Sequence, residues 1–209
     1  GSNVLLISRK EGVASELLAK CSFMYHNLPS YFHTVKDRGD RDNDTELKFG
    51  AINSKIVALA STKGSGRSES ATLVIPDEWA FHPDDIEMYG SYEPTLGTQG
   101  QIVGCSTANG RRGLFYNLYT EARREWAPQN PKAFFPIFLP WMLRPDYDQA
   151  FYDEKKHTYE AAGQPELLYQ EFPADEMSAF GGSLSTFFKK DHLNRLSSVA
   201  TASKKSIYY

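Results

Sequence analysis

Leu73-Val74-Ile75-Pro76-Asp77-Glu78 joins an apolar run to two adjacent carboxylates. Branched apolar residues suit a strand buried inside a sheet, and Asp77 and Glu78 then emerge together at its carboxyl end, where open α/β sheets bind ligands. There an aspartate can hold Mg²⁺, a hard cation that favours oxygen, and a glutamate can orient or deprotonate an attacking water. A strand ending in Asp-Glu is common, so the plain alternative is a solvated strand end. Pro76 removes a ladder donor and fits best at the strand's last position.

A second run, Ile102-Val103-Gly104-Cys105, leads into Ser106-Thr107-Ala108-Asn109-Gly110. Small hydroxyl and amide groups at a sheet edge can sense a γ-phosphate through hydrogen bonds; the alternative is a polar turn reversed by Asn109-Gly110. Gly64-Ser65-Gly66-Arg67-Ser68 places an arginine on a flexible loop. Its guanidinium fork can reach a phosphate, its own or a neighbour's, although most loop arginines are only solvated.

The surrounding pattern shows what must position these groups. Val4–Ser8 reads as a buried strand, followed by a helix carrying Val13, Leu17, Leu18, Cys21 and Met24 and ending near Asn27-Leu28-Pro29. Residues 37–44 form a charged loop, and Glu46–Phe49 and Lys55–Ala60 flank a turn as two strands. Asp84–Met88 opens a helix leading to Tyr92, and Gly113–Trp126 forms another. Ala133–Leu139 reads as a fourth apolar strand broken by Pro136, within an aromatic-rich core stretch reaching Trp141. Asp148–Ala162 and Pro165–Glu171 read as polar helices, and Asp191–Leu196 as a weak one. Strands alternating with helices imply a layered α/β sheet with helices on both faces.

Composition narrows the function. Among 209 residues, 41% are apolar and 23% charged, with a net charge of −3, which excludes a surface that grips nucleic acid everywhere. DNA contact must come from local pairs such as Arg111-Arg112, Arg123-Arg124, Lys155-Lys156 and Lys189-Lys190, which are more often solvated faces. The two cysteines, Cys21 and Cys105, form no metal or disulfide pattern and read as reduced thiols of a cytoplasmic protein. No apolar run approaches the roughly 18 residues of a membrane span, and the start has no basic segment leading into an apolar one, so no signal peptide is expected. Gly1-Ser2 reads as a cloning remnant, and with no initiating Met the chain is expected to begin inside a longer protein. His82, next to Pro83-Asp84-Asp85, reads as surface loop; His26, His33, His157 and His192 are scattered.

Taken in order, the Arg67 loop, Asp77-Glu78 and Ser106-Thr107-Ala108-Asn109-Gly110 resemble the ATPase of the phage terminase large subunit, the motor that pumps DNA into capsids. The resemblance implies a three-layer RecA-like (P-loop NTPase) mainly parallel sheet with helices on both faces, incomplete at its N-terminus. It implies Asp77 near Mg²⁺, Glu78 activating water, and Ser106, Thr107 and Ala108 as the coupling motif. Asn109 continues that pattern toward the nucleotide, and Arg67 lies where some members place a finger that acts on a neighbouring subunit. Residues 1–180 would be the ATPase core and 181–209 a linker towards an absent nuclease domain, with Glu171-Phe172-Pro173 and Ala179-Phe180 resembling the linker's start. ATP and Mg²⁺ would be the cofactors of the whole protein. Double-stranded DNA, the portal protein and the terminase small subunit would be its partners, in a homo-oligomeric ring, without a membrane, in the host cytoplasm.

The sequence departs from the family's pattern in two respects: the nuclease domain expected after residue 209 is absent, and G-x-x-x-x-G-K-S/T occurs nowhere. Its backbone N–H groups and lysine cradle phosphates, so this chain alone is expected neither to bind ATP tightly nor to hydrolyse it. Three other readings compete with this one. A helicase-like translocase should carry Asp-Glu-x-His or Asp-Glu-x-Asp, whereas Asp77-Glu78-Trp79-Ala80 stands here. A non-catalytic nucleic-acid-binding or assembly module would keep the ATPase features as vestiges. A metal-dependent nuclease built on Asp77, Glu78, Asp84 and Asp85 would need carboxylates from separate strands, and these are nearly contiguous.

Overall fold

The computed structural model of the chain describes residues 1–67, 70–125 and 134–182. Its centre is β1 (Asn3–Ser8), whose apolar side chains alternate between two cores. Leu5 and Ile7 enter one core and Leu6 the other, as the two-residue period of a strand requires. Five further strands complete the sheet: β2 (Arg41–Asp42), β3 (Glu46–Phe49), β4 (Ser54–Ala60), β5 (Leu73–Pro76) and β6 (Gln101–Ile102). Their order is β2-β3-β4-β1-β5-β6. β1 pairs in parallel with β4 and β5, placing Val4 opposite both Ile56 and Leu73, and β6 continues in parallel beside β5. The β2-β3 end is antiparallel, joined to β4 through a tight turn that Asn53 closes in left-handed backbone.

Helices cover both faces. α1 (Glu11–His26) turns the buried Ala14 and Leu18 onto Leu6, Leu47 and Ala58. On the opposite face α2 (Asp85–Tyr92) buries Met88 and Tyr92 against Leu5, Ile7, Val74 and Trp79. Each such side chain contributes about 1.5–3 kcal/mol by leaving water. α3 (Gly113–Glu125) adds Leu114, Phe115 and Leu118 to that core.

Beyond α3 the chain builds a small unit from α4 (Gln149–Ala161), α5 (Pro165–Glu171) and α6 (Glu176–Gly182). Asp148 caps α4 by accepting from the Phe151 N–H at 2.8 Å. Rings supply the packing that these polar helices otherwise lack: Tyr147 stacks on Phe151 at 4.1 Å and Trp141 on Tyr152 at 4.6 Å between centroids. α6 docks on α3 through Phe180, which meets Tyr116 and Tyr119.

The structure corrects four expectations. The charged loop contains β2, held where Asp42 accepts from Ser22 and pairs with His26. The apolar run after residue 133 is not a strand. In residues 134–139 Phe134 and Phe138 pack inward while Phe135, Ile137 and Leu139 are exposed. This is the two-residue alternation of extended backbone, and Pro136 withholds a ladder donor. β6 is shorter than its apolar run, although Val103 and Cys105 still donate to Val74 and Pro76 of β5. Gly104 passes so closely over the Trp79 ring that a Cβ there would collide with it. α6 was not foreseen. The expected helix at Asp191–Leu196 lies outside the described residues.

Candidate active site

Parallel strands deliver their carboxyl ends to one rim. Arg9 leaves β1 there, Asp77 and Glu78 leave β5, and Cys105, Ser106 and Thr107 follow β6. All six line one cleft of about 530 Å³. Gln170 and Glu171 of α5 close it from the other side. The two carboxylates and the hydroxyl turn, read separately in the sequence, are therefore neighbours.

Hydrogen bonds fix the turn that follows β5. The Asp77 N–H donates to Ile7 O at 2.8 Å and the Trp79 N–H to Cys105 O at 3.1 Å. Ser106 Oγ accepts from the Ala80 N–H at 3.1 Å, and Asn109 Nδ2 donates to Ala80 O at 2.9 Å. Ser106 and Asn109 thus grip the peptide groups just beyond Glu78. Glu78 sits at φ 50°, in left-handed backbone that side chains other than glycine seldom adopt. The Cys105 thiol donates to Asp77 Oδ1 at 3.3 Å; desolvation, then the neighbouring carboxylate, push its pKa up to about 11. Ala108 is buried against Ala179 and Phe180 of α6, linking the rim to the helical unit.

Arg67 is not brought to this cleft. Its Nε donates to Ser91 Oγ of α2 at 3.3 Å, and it lines a separate hollow of about 360 Å³ with Lys63 and Glu87. Within one chain Arg67 and Asp77 serve different surfaces.

His82 overturns the surface-loop reading. It is only 6% exposed, and its Nε2 lies 2.8 Å from Asp77 O. Desolvation is the main influence on the ring and lowers its pKa. The short helical turn Trp79–Phe81 folds it back under β5, a tertiary effect that its charged neighbours Asp84 and Asp85 conceal. Both members of the Arg123-Arg124 pair are engaged within the chain: Arg123 binds Glu176, and Arg124 binds Glu121 and Glu125. Arg112 donates to Asn109 Oδ1. Lys189-Lys190 lies outside the described residues.

Sequence reasoning missed Arg9, Gln170 and Glu171. Arg9 carried a usable signal, since it directly follows a buried strand and belongs to the same rim as Asp77. Gln170 and Glu171 carried none; α5 is brought to the cleft by tertiary packing alone.

The donors suit a hard cation. Asp77, Glu78, Ser106 and Thr107 offer oxygen, as Mg²⁺ prefers. Among the described residues no group of three or more His, Cys, Asp or Glu gathers to hold a metal. A Mg²⁺ ion here would be held through few side chains, with water and phosphate oxygens completing its shell.

Comparison with solved structures decides the fold. The large terminase of a thermophilic bacteriophage superposes with a TM-score of 0.57 at 12% identity, over 83% of this chain and 40% of that one. Its complex with ADP gives 0.53 at 12% identity, again over 83% and 40%. The HK97 bacteriophage large terminase gives 0.50 at 14% identity, over 97% of this chain and 36% of that one. This is the fold of the phage large terminases. The mostly parallel six-stranded sheet is accordingly of the RecA-like type, and the chain spans about two fifths of the length of those terminases. No protein-family model matches the sequence, and no curated protein does.

Proposed function

We propose that this chain is part of the ATPase motor of a phage terminase large subunit, which drives double-stranded DNA into a capsid. The observation that carries the reading is the shared rim: a carboxylate pair and a Ser-Thr turn side by side, on the large-terminase fold. In this reading Asp77 holds the water shell of Mg²⁺ and Glu78 takes a proton from the attacking water. Magnesium bound there neutralises charge on the phosphates of ATP. Ser106 and Asn109 act through the Ala80 peptide groups they hold, so a shift of the coupling turn moves Glu78. Thr107 faces the cleft beside them, and Ala108 passes the movement to α6.

Arg67, facing away from its own chain's cleft, fits a finger that acts on the neighbour in a ring. The portal protein and the terminase small subunit are the expected partners, and phage assembly in the host cytoplasm the expected setting. The test uses the complete open reading frame that contains this chain, assayed for DNA-stimulated ATP hydrolysis. Glu78→Gln should lower kcat by roughly 10²–10⁴-fold while ATP still binds, the loss expected for a missing general base. Mixing Arg67→Ala with Glu78→Gln subunits should restore part of the rate, because each supplies what the other lacks. Full-rate hydrolysis by Glu78→Gln overturns the reading.

A further inference from the structure

We propose that His82 is a positioning residue that holds the Asp77–Glu78 peptide in the orientation the cleft needs. The proposal rests on the reading of Asp77 and Glu78 as the cation- and water-handling carboxylates. Asp77 turns its side chain into the cleft, while its backbone carbonyl points back to His82 Nε2, 2.8 Å away. A carbonyl only accepts, so Nε2 must carry a proton and donate it to Asp77 O. The ring itself is buried.

The bonded carbonyl belongs to the peptide that joins Asp77 to Glu78. Rotating that peptide would turn the carbonyl away from His82 and carry Glu78 out of its left-handed backbone at φ 50°. Relief of backbone strain favours that rotation, and the His82 bond opposes it. The Phe81 N–H to Glu78 O bond of 2.9 Å and the His82 N–H to Trp79 O bond of 3.1 Å close the loop that returns His82 beneath Asp77. Ser106 and Asn109 hold Ala80 from the β6 side. The turn is therefore gripped at Ala80 by the coupling residues and at Asp77 by His82. Glu78 lies between the two grips.

Two measurements on this chain test the assignment. Nitrogen-15 NMR of the wild type, with His82 identified by its absence in His82→Gln, should show His82 protonated on Nε2 at pH 7. A ring protonated on Nδ1 alone overturns the proposal without need of any variant that might not fold. Mn²⁺ titration followed by electron paramagnetic resonance supplies the second readout. Asp77→Asn should abolish binding at the cleft. His82→Met should weaken it roughly tenfold, as loss of a supporting hydrogen bond does at metal sites. His82→Gln, whose side-chain amide N–H can reach the same carbonyl, should recover affinity to within about threefold of wild type. Wild-type affinity in His82→Met, together with loss in Asp77→Asn, overturns the role of His82 and leaves the site standing. Unchanged binding in Asp77→Asn overturns the underlying reading of the cleft instead, and the positioning role with it.

Discussion

Glu78 holds a backbone conformation, φ 50°, that a side chain with a Cβ adopts only at a cost. Such strain runs about 1–3 kcal/mol and persists where surrounding bonds over-determine it. Here the bonds at Asp77, Trp79 and Ala80 do so. Glycine would remove the strain but loses about 0.5–1 kcal/mol through its freer unfolded chain. The strain term is the larger, so Glu78→Gly should stabilise the fold by about 1 kcal/mol. For a chain of this size that raises Tm by roughly 2–4 °C. Differential scanning calorimetry checks it, and a lower Tm would show that Glu78 is not strained. A carboxylate kept at a destabilising position is what a working site predicts and a solvated strand end does not.

At the scale of elements, α6 is joined to α3 by a polar clasp. Tyr119 Oη donates to Glu176 Oε1 at 2.9 Å, and Arg123 Nε lies 3.0 Å from the same oxygen. Desolvation, then the Glu176 carboxylate, hold the Tyr119 pKa well above its usual value. A phenol whose folded pKa is raised gives stability that is complete below its unfolded pKa of about 10 and is lost as pH rises further. Tyr119→Phe should therefore cost about 1 kcal/mol at pH 8, with the clasp half-exposed. The gap to wild type should narrow above about pH 10. Urea denaturation at pH 8 and pH 10.5 measures both, and a gap that stays constant would break the account. None of this clasp was legible in the sequence, because Glu176 meets Tyr119 only after α4 and α5 have folded back. The strands were legible where hydrophobic runs were buried on both sides, as at Val4–Ser8 and Leu73–Ile75. The rim was legible because parallel strands carry their ends to one side. Residues 134–139 misled because an apolar run can lie as extended backbone without a ladder partner. His82 misled because charged neighbours imitate a surface loop.

For the whole molecule, the balance of charge around the cleft governs what the chain can hold unaided. Among the described residues, Asp77, Glu78 and Glu171 line it against one guanidinium, that of Arg9. Arg67 and Lys63 lie in the other hollow, and the net charge of −3 adds no attraction at long range. A Mg²⁺–triphosphate remains anionic, and each nearby carboxylate opposes it by roughly 1–4 kcal/mol at contact distance near a protein surface. A phosphate-cradling loop reverses that balance with backbone N–H groups and a lysine, and its sequence signature is absent from these residues. The chain alone should therefore bind Mg²⁺–ATP no more tightly than about 1 mM, near −4 kcal/mol. Isothermal titration calorimetry at low ionic strength, where the opposing charges act most strongly, gives the direct measurement. Added salt should leave the affinity unchanged or slightly higher, because it screens repulsion here and not attraction. A micromolar Kd that weakens with salt would mean that cationic groups within these residues already cradle the phosphates.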